Sequence, residues 1–238
     1  DDGKSGFIVP FENGKQQMID RVISLEKDRN LLRRMKANAL IKRMEFAPPK
    51  LENLIVGGKT LTVCYVSRVE QSKGLDTLKA MSTLMSNIGF DRYVKIDFYG
   101  QKTDTYFDEY LKGIEMYQYK GVLQPNEVIP TLKQYDALIF PSHYDGEGCP
   151  GILVEALSAS LPIIASDWKY NNEFVTNGDN GFLCSTFDPN EYVEAIKVLL
   201  LNKTLLKRMA ENAYEKSGEF SVGKARVLLN QYVAISKS

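Results

Sequence analysis

The chain has 238 residues, 44% of them apolar and 25% charged, with thirty basic side chains balancing thirty acidic ones. That balance excludes an overall field drawing in nucleic acid or another polyanion, and the composition is that of a globular domain with an ordinary core. No apolar run approaches the roughly 20 residues of a membrane span and no secretory signal opens the chain. The scattered Cys64, Cys149 and Cys184 have neither pairing nor metal-ligand spacing and read as free thiols of a reducing, cytoplasmic compartment.

Residues 1–48 carry a β-like stretch, GFIVPF, then two helical patterns that end near Phe46, before the breaker APPK. Within them, KDRNLLRRMKANALIKR at 27–43 sets Leu31, Leu32, Met35, Ala39 and Leu40 on one helical face and basic side chains on the other. Such a helix can lie peripherally on the anionic inner face of a membrane. A helix packed on its own domain is the plainer alternative. From Leu61 the period changes: LTVCYV reads as a buried strand, LDTLKAMSTLMSNI as an amphipathic helix and VKIDFYG as a strand ending in glycine. A helix around Asn126 to Gln134, the strand ALIFP, a helix from about Gly151 to Ala159, the strand PIIAS and helices over 190–235 continue the alternation. The expected fold class is α/β, a Rossmann-like parallel sheet flanked by helices, with ligands bound beyond the carboxyl ends of the strands.

The amino-terminal stretch also recurs near the other end. Gly6-Phe7 aligns with Gly181-Phe182, Arg34-Met35 with Arg208-Met209, Asn38-Ala39 with Asn212-Ala213 and Glu45-Phe46 with Glu219-Phe220. Turn residues kept in step with helical ones point to one supersecondary unit occurring twice, and the unrelated sequence between the copies argues against a solenoid. The second copy, with Glu211, Glu215 and Glu219, is less basic, which favours the plainer reading of the helix at 27–43.

The chemistry concentrates in DGEGCPGILVEAL, residues 145–157, in the loop after ALIFP. Pro150 suits a first helical position, because it lacks the N–H that would go unpaired there. The amides of Gly151, Ile152 and Leu153 would then point outward and, with the helix dipole, favour a phosphate. Glu155, about one turn further in, can face a diol such as a ribose, and Glu147 can accept hydrogen bonds from hydroxyls on the other side of the anion. Two carboxylates near a diphosphate need cations. SRVEQSKG supplies Arg68, a planar fork, and Lys73, a compact charge, between a strand and a helix. Taken singly, the glutamates are a surface carboxylate and a helix-start carboxylate, and the cations solvated loop charges. Their order along one α/β pattern favours the shared site. His143 reads as loop structure, with a donor or acceptor contact as the alternative, and Cys149 as a small filler; Asp145 could meet a divalent cation, but one carboxylate without a spaced partner predicts no metal.

The order SRVEQSKG, YKGVLQPNEVIPTL, FPSHYDGEGCPGILVEALSASLPIIASD, NEFVTNGDNGFL resembles the retaining glycosyltransferases of family 4, or group 1, over about three-quarters of the chain. The resemblance implies that residues 60–238 are the carboxyl-terminal, nucleotide-sugar-binding half of a GT-B fold. It carries the diphosphate-contacting roles to Arg68 and Lys73, and the E-x(7)-E roles to Glu147, on the transferred sugar, and Glu155, on the ribose. Leu123, after the glycine of KGVL, would adjoin the base. Ser67 and Ser160 depart from the family's usual glycines. No cofactor is implied beyond the nucleotide-diphosphate sugar, and the acceptor would be a glycan or a lipid-linked glycan. Nothing before Leu61 resembles the amino-terminal acceptor domain. Residues 1–48 resemble the tail of another family 4 domain, as in a piece of a tandem enzyme, so the chain alone is expected to bind donor better than it transfers sugar. The alternatives are a non-catalytic nucleotide-sugar-binding module, a glycosidase using Glu147 and Glu155 about 5–9 Å apart, and a membrane-surface protein built on the basic helix.

Overall fold

The computed structural model describes residues 60–221, together with positions 23, 27, 28, 31, 35, 223 and 224. The appendage expected at 1–48, with its basic helix and the first copy of the repeat, lies outside the described residues apart from those isolated positions, as does the helix expected to run on to 235.

Six strands form one sheet: β1 (Leu61–Val66), β2 (Val94–Tyr99), β3 (Tyr117–Gly121), β4 (Ala137–Phe140), β5 (Ile163–Ser166) and β6 (Gly181–Cys184). Their order is β3-β2-β1-β4-β5-β6 and every neighbouring pair is parallel. The expected Rossmann-like class is therefore what forms. β4 and β5 are buried at every position, as strands covered on both faces must be, which is why ALIF and the first three residues of IIAS are apolar.

The connecting helices are α1 (Leu75–Asn87), α2 (Val128–Leu132), α3 (Gly151–Ser158), α4 (Asn171–Phe174), α5 (Pro189–Leu201) and α6 (Lys203–Ser217). In α1 the buried Leu75, Leu78, Met81 and Met85 fall at helical spacing, so one stripe meets the sheet. α5 begins where Asp188 accepts the Asn190 amide and Pro189 fills the first turn; α6 begins where Asn202 accepts the Leu205 amide at 2.9 Å. Alternation along β1 divides the core. Val63 and Tyr65 join the cluster with α1 and α5, whereas Cys64 joins the opposite cluster with Leu153 and Leu157 of α3.

Two strands went unanticipated. β3, YQYKG, is an edge strand with only Tyr117 buried, so no apolar run betrays it, and β6 is four residues at the other edge. From β1 the chain crosses toward β2, and from β4 it crosses toward β5 on the other side. The loops leaving these two adjacent strands therefore part, opening a crevice at their carboxyl ends.

Candidate active site at the parting of β1 and β4

The loop after β1 is held from within the sheet. The buried Tyr65 hydroxyl donates to the Arg68 carbonyl at 2.8 Å and lies 3.5 Å from the Lys73 carbonyl, tying both ends of the segment that carries the cations. Burial pushes the Tyr65 phenol well above its usual range, so it stays a donor. A single 3-10 turn, Gln71–Lys73, ends at Gly74 in the left-handed region, φ 85°. A side chain there would put Cβ 2.2 Å from the Pro141 carbonyl oxygen, so glycine alone lets this loop press against the end of β4.

That approach brings together residues 74 apart in sequence. Lys73 Nζ donates to Glu147 Oε2 at 2.7 Å, and both side chains are nearly buried, 6% and 11% exposed. The Ser142 hydroxyl donates to the same oxygen. Tyr144 lies beneath both cations, its ring centroid 4.2 Å from Lys73 Nζ and 4.9 Å from the Arg68 guanidinium carbon. Trp168 holds the Tyr144 carbonyl through its indole N–H at 3.0 Å, and the His143 amide donates to Ser72 across the two loops at 3.1 Å. Arg68 is about half exposed and pairs with Glu70 at 3.2 Å. Burial pushes the Glu70 carboxyl up, but the Ser72 and Thr103 hydroxyls and Arg68 outweigh it and hold it below the usual range, an anion that anchors the arginine.

The junction with α3 differs from expectation in two respects. Pro150 is the N-cap, extended at φ −69° and ψ 106°, and the helix starts at Gly151. The Leu153 amide is not free but donates to the Pro150 carbonyl at 3.0 Å, because the first turn closes on itself. The outward donors reduce to Gly151 and Ile152. Gly151 is exposed, with open space where a side chain would stand. Glu155 is half-buried and its carboxylate makes no hydrogen bond or ion pair among the described residues; burial raises it above the usual range. A carboxyl so placed lacks the partners that a diol could supply.

Leu123, half-buried, sits just past the carboxyl end of β3, two strands from β1 along the same sheet edge. Asp145 pairs with Lys169 at 3.6 Å. His143 packs against Phe187, ring centroids 5.1 Å apart, and its buried Nδ1 has no hydrogen-bond partner in the described structure. Cys149, expected as a filler, is exposed, whereas Cys64 and Cys184 are the buried thiols; all three are free. Among the described residues no three His, Cys, Asp or Glu side chains gather as a metal site, and no helix is long and apolar enough to cross a membrane. A cavity of about 320 Å³, lined by Leu61, Pro162, Leu199 and Leu206, opens at the opposite edge, beside the strand starts. None of the predicted site residues reaches it.

Ser142, Tyr144 and Tyr65 were not singled out from the sequence. Tyr65 carried a signal, a phenol inside a buried strand just before two cations, since buried tyrosines seek hydrogen-bond partners. The geometry brings two cations and a partly engaged carboxylate together where the β1 and β4 loops meet, and α3 starts four residues after that carboxylate, chemistry suited to an anion joined to a polyhydroxyl group.

The sequence pattern of the family Glycosyl transferases group 1 matches residues 50–216. An uncharacterized glycosyltransferase of Methanocaldococcus jannaschii is 34% identical over 96 residues, 40% of this chain and 27% of that protein. A glycogen synthase of Mycobacterium tuberculosis is 26% identical over 64% of this chain and 37% of its own length. The chain thus spans well under half of these relatives. Among solved structures, a variant of S. aureus TarM crystallised with Fondaparinux, alpha-GlcNAc-glycerol and UDP superposes with TM-score 0.62 at 23% identity, over 75% of this chain and 36% of that one. The carboxyl-terminal domain of a group 1 glycosyl transferase, LpcC of Francisella tularensis, does so with TM-score 0.57 at 17% identity, over 74% and 95%. At these identities the likeness is one of fold.

Proposed function

The chain belongs to the glycosyl transferases group 1 family, and from that membership we propose that residues 60–238 are the donor-binding half of a retaining, family 4 enzyme of GT-B fold. It holds a nucleotide-diphosphate sugar whose hexose passes to a glycan or lipid-linked acceptor. The acceptor site belongs to a separate domain, without which this unit binds donor but transfers poorly. A cytoplasmic location, with any membrane contact peripheral, suits that donor class. The observation that carries the reading is the meeting of Arg68, Lys73 and Glu147 where the β1 and β4 crossovers part.

In the reaction the bond between the anomeric carbon and the β-phosphate oxygen breaks, the acceptor oxygen takes its place, and the departing diphosphate, on which negative charge collects, takes up the acceptor hydroxyl's proton. Arg68 and Lys73 lower the energy of that charge, aided by the Gly151 and Ile152 amides at the start of α3. Glu147 meets hydroxyls of the hexose, Glu155 the ribose, and Leu123 adjoins the base. No metal or cofactor enters this scheme.

A screen of uridine, adenosine and guanosine diphosphate sugars for thermal stabilisation tests it, uridine first because TarM was crystallised with UDP. Glu155→Ala is expected to weaken the free nucleoside diphosphate. Glu147→Ala is expected to spare it and weaken the sugar-bearing donor. Equal effects of both on the free diphosphate, or stabilisation by none of the ligands, refute the assignment. Transfer assayed with an added acceptor domain separates an enzyme from a non-catalytic nucleotide-sugar-binding module.

A further inference from the structure

Resting on the donor site above, we propose that Ser142 is a positioning residue that, together with Lys73, fixes the orientation in which the Glu147 carboxylate meets the donor sugar, and that Ser166 and Asn171 hold Ser142 to that task. Ser142 stands two residues beyond β4 and is wholly buried. A hydroxyl has a single proton to give, and here it goes to Glu147 Oε2. The Tyr144 amide approaches the Ser142 oxygen at 3.4 Å, which occupies the accepting side and directs the proton outward to the carboxylate. Oε2 therefore receives two donors, the serine hydroxyl and Lys73 Nζ at 2.7 Å. No hydrogen bond reaches Oε1 among the described residues. Because both donors converge on one oxygen, they fix the plane of the carboxylate and leave its other oxygen, Oε1, for a ligand hydroxyl.

Ser142 is itself fixed. The Ser166 hydroxyl donates to its carbonyl, and Asn171 Nδ2 reaches the Ser166 carbonyl at 3.1 Å and hydroxyl oxygen at 3.3 Å. Ser142, Ser166 and Asn171 are each 1% exposed or less. Polar side chains that deep are costly unless bonded, and these are bonded to one another in a line running from α4 through the end of β5 to Glu147, Asn171 through Nδ2 while its buried Oδ1 has no partner among the described residues. A line of apolar residues would fill the same volume but would leave the carboxylate held by Lys73 alone.

The test is a double-mutant cycle on the full chain, titrated with the stabilising nucleoside diphosphate from the uridine, adenosine and guanosine set and with its sugar nucleotide. Ser142→Ala is expected to leave the nucleoside diphosphate Kd within about twofold and to weaken the sugar nucleotide about tenfold, the loss of one charge-assisted contact. Ser142→Thr, which keeps the hydroxyl, restores binding. Ser142→Ala added to Glu147→Ala causes no further loss. Ser166→Ala gives the same pattern more weakly and serves where Ser142→Ala fails to fold. Additive losses, equal weakening of both ligands, or Ser142→Ala behaving as wild type overturn the proposal. If wild type binds neither ligand, the donor reading itself is refuted. If it binds both and the cycle is additive, only the role of Ser142 falls.

Discussion

Removing one member of the Lys73–Glu147 pair should cost far more stability than removing both. The two charges are 2.7 Å apart with side chains 6% and 11% exposed. At an effective dielectric of about 20, their attraction is about 6 kcal/mol. Desolvation of the two ions offsets most of that, so the intact pair adds little net stability. Breaking it strands a charge, a change that costs roughly 3–5 kcal/mol. Lys73→Met keeps the aliphatic stem and deletes the charge. It should destabilise by about 3 kcal/mol, which for a chain of this size lowers Tm by roughly 6–12 °C. Glu147→Gln should behave alike, because Lys73 then loses the charge of the carboxylate it contacts. The double variant should return to within about 1 kcal/mol of wild type. Urea denaturation with a common m-value measures all four corners. A double variant at the sum of the single losses would refute the reasoning, since the pair would then be two independent surface charges.

Glu155 and Gly74 supply two further predictions. Burial raises the Glu155 carboxyl in the folded state, so its ionisation opposes folding: the contribution is favourable at low pH and is lost as pH rises through the folded-state value. Glu155→Gln should therefore raise Tm at pH 7, with the gain vanishing below about pH 4. A gain independent of pH across thermal scans would exclude this cause. Gly74→Ala combines a left-handed backbone with a Cβ 2.2 Å from the Pro141 oxygen, whereas a Cβ on Gly148 meets nothing within 4 Å. The first substitution should cost at least about 2 kcal/mol and the second under about 1 kcal/mol. Equal urea midpoints would show that the two loops are not pressed together.

Some of this was written in local sequence. Apolar strands, an amphipathic α1 and a Pro-Gly helix start each announce themselves within a dozen residues, because burial on both faces, helical period and capping are short-range demands. The alternation of those elements implied a parallel sheet, and Arg68, Lys73, Glu147 and Glu155 stood out by charge type and by order after strands. β3 did not stand out: an edge strand with one buried residue carries little apolar signal. Nor did the self-closing first turn of α3, which depends on the backbone angle at Pro150.

The sequence alone thus settled the class of fold and the chemical types present in two loops. It could not say that Lys73 spends its charge on Glu147, that one phenyl face underlies both cations, or that a serine bonds the carboxylate. Those follow from β1 and β4 being neighbours in the sheet and from a glycine letting their loops touch, contacts between residues about 70 positions apart. Local pattern encodes which face of a strand or helix is buried. Which two loops share a crevice is decided only when the strands choose their neighbours.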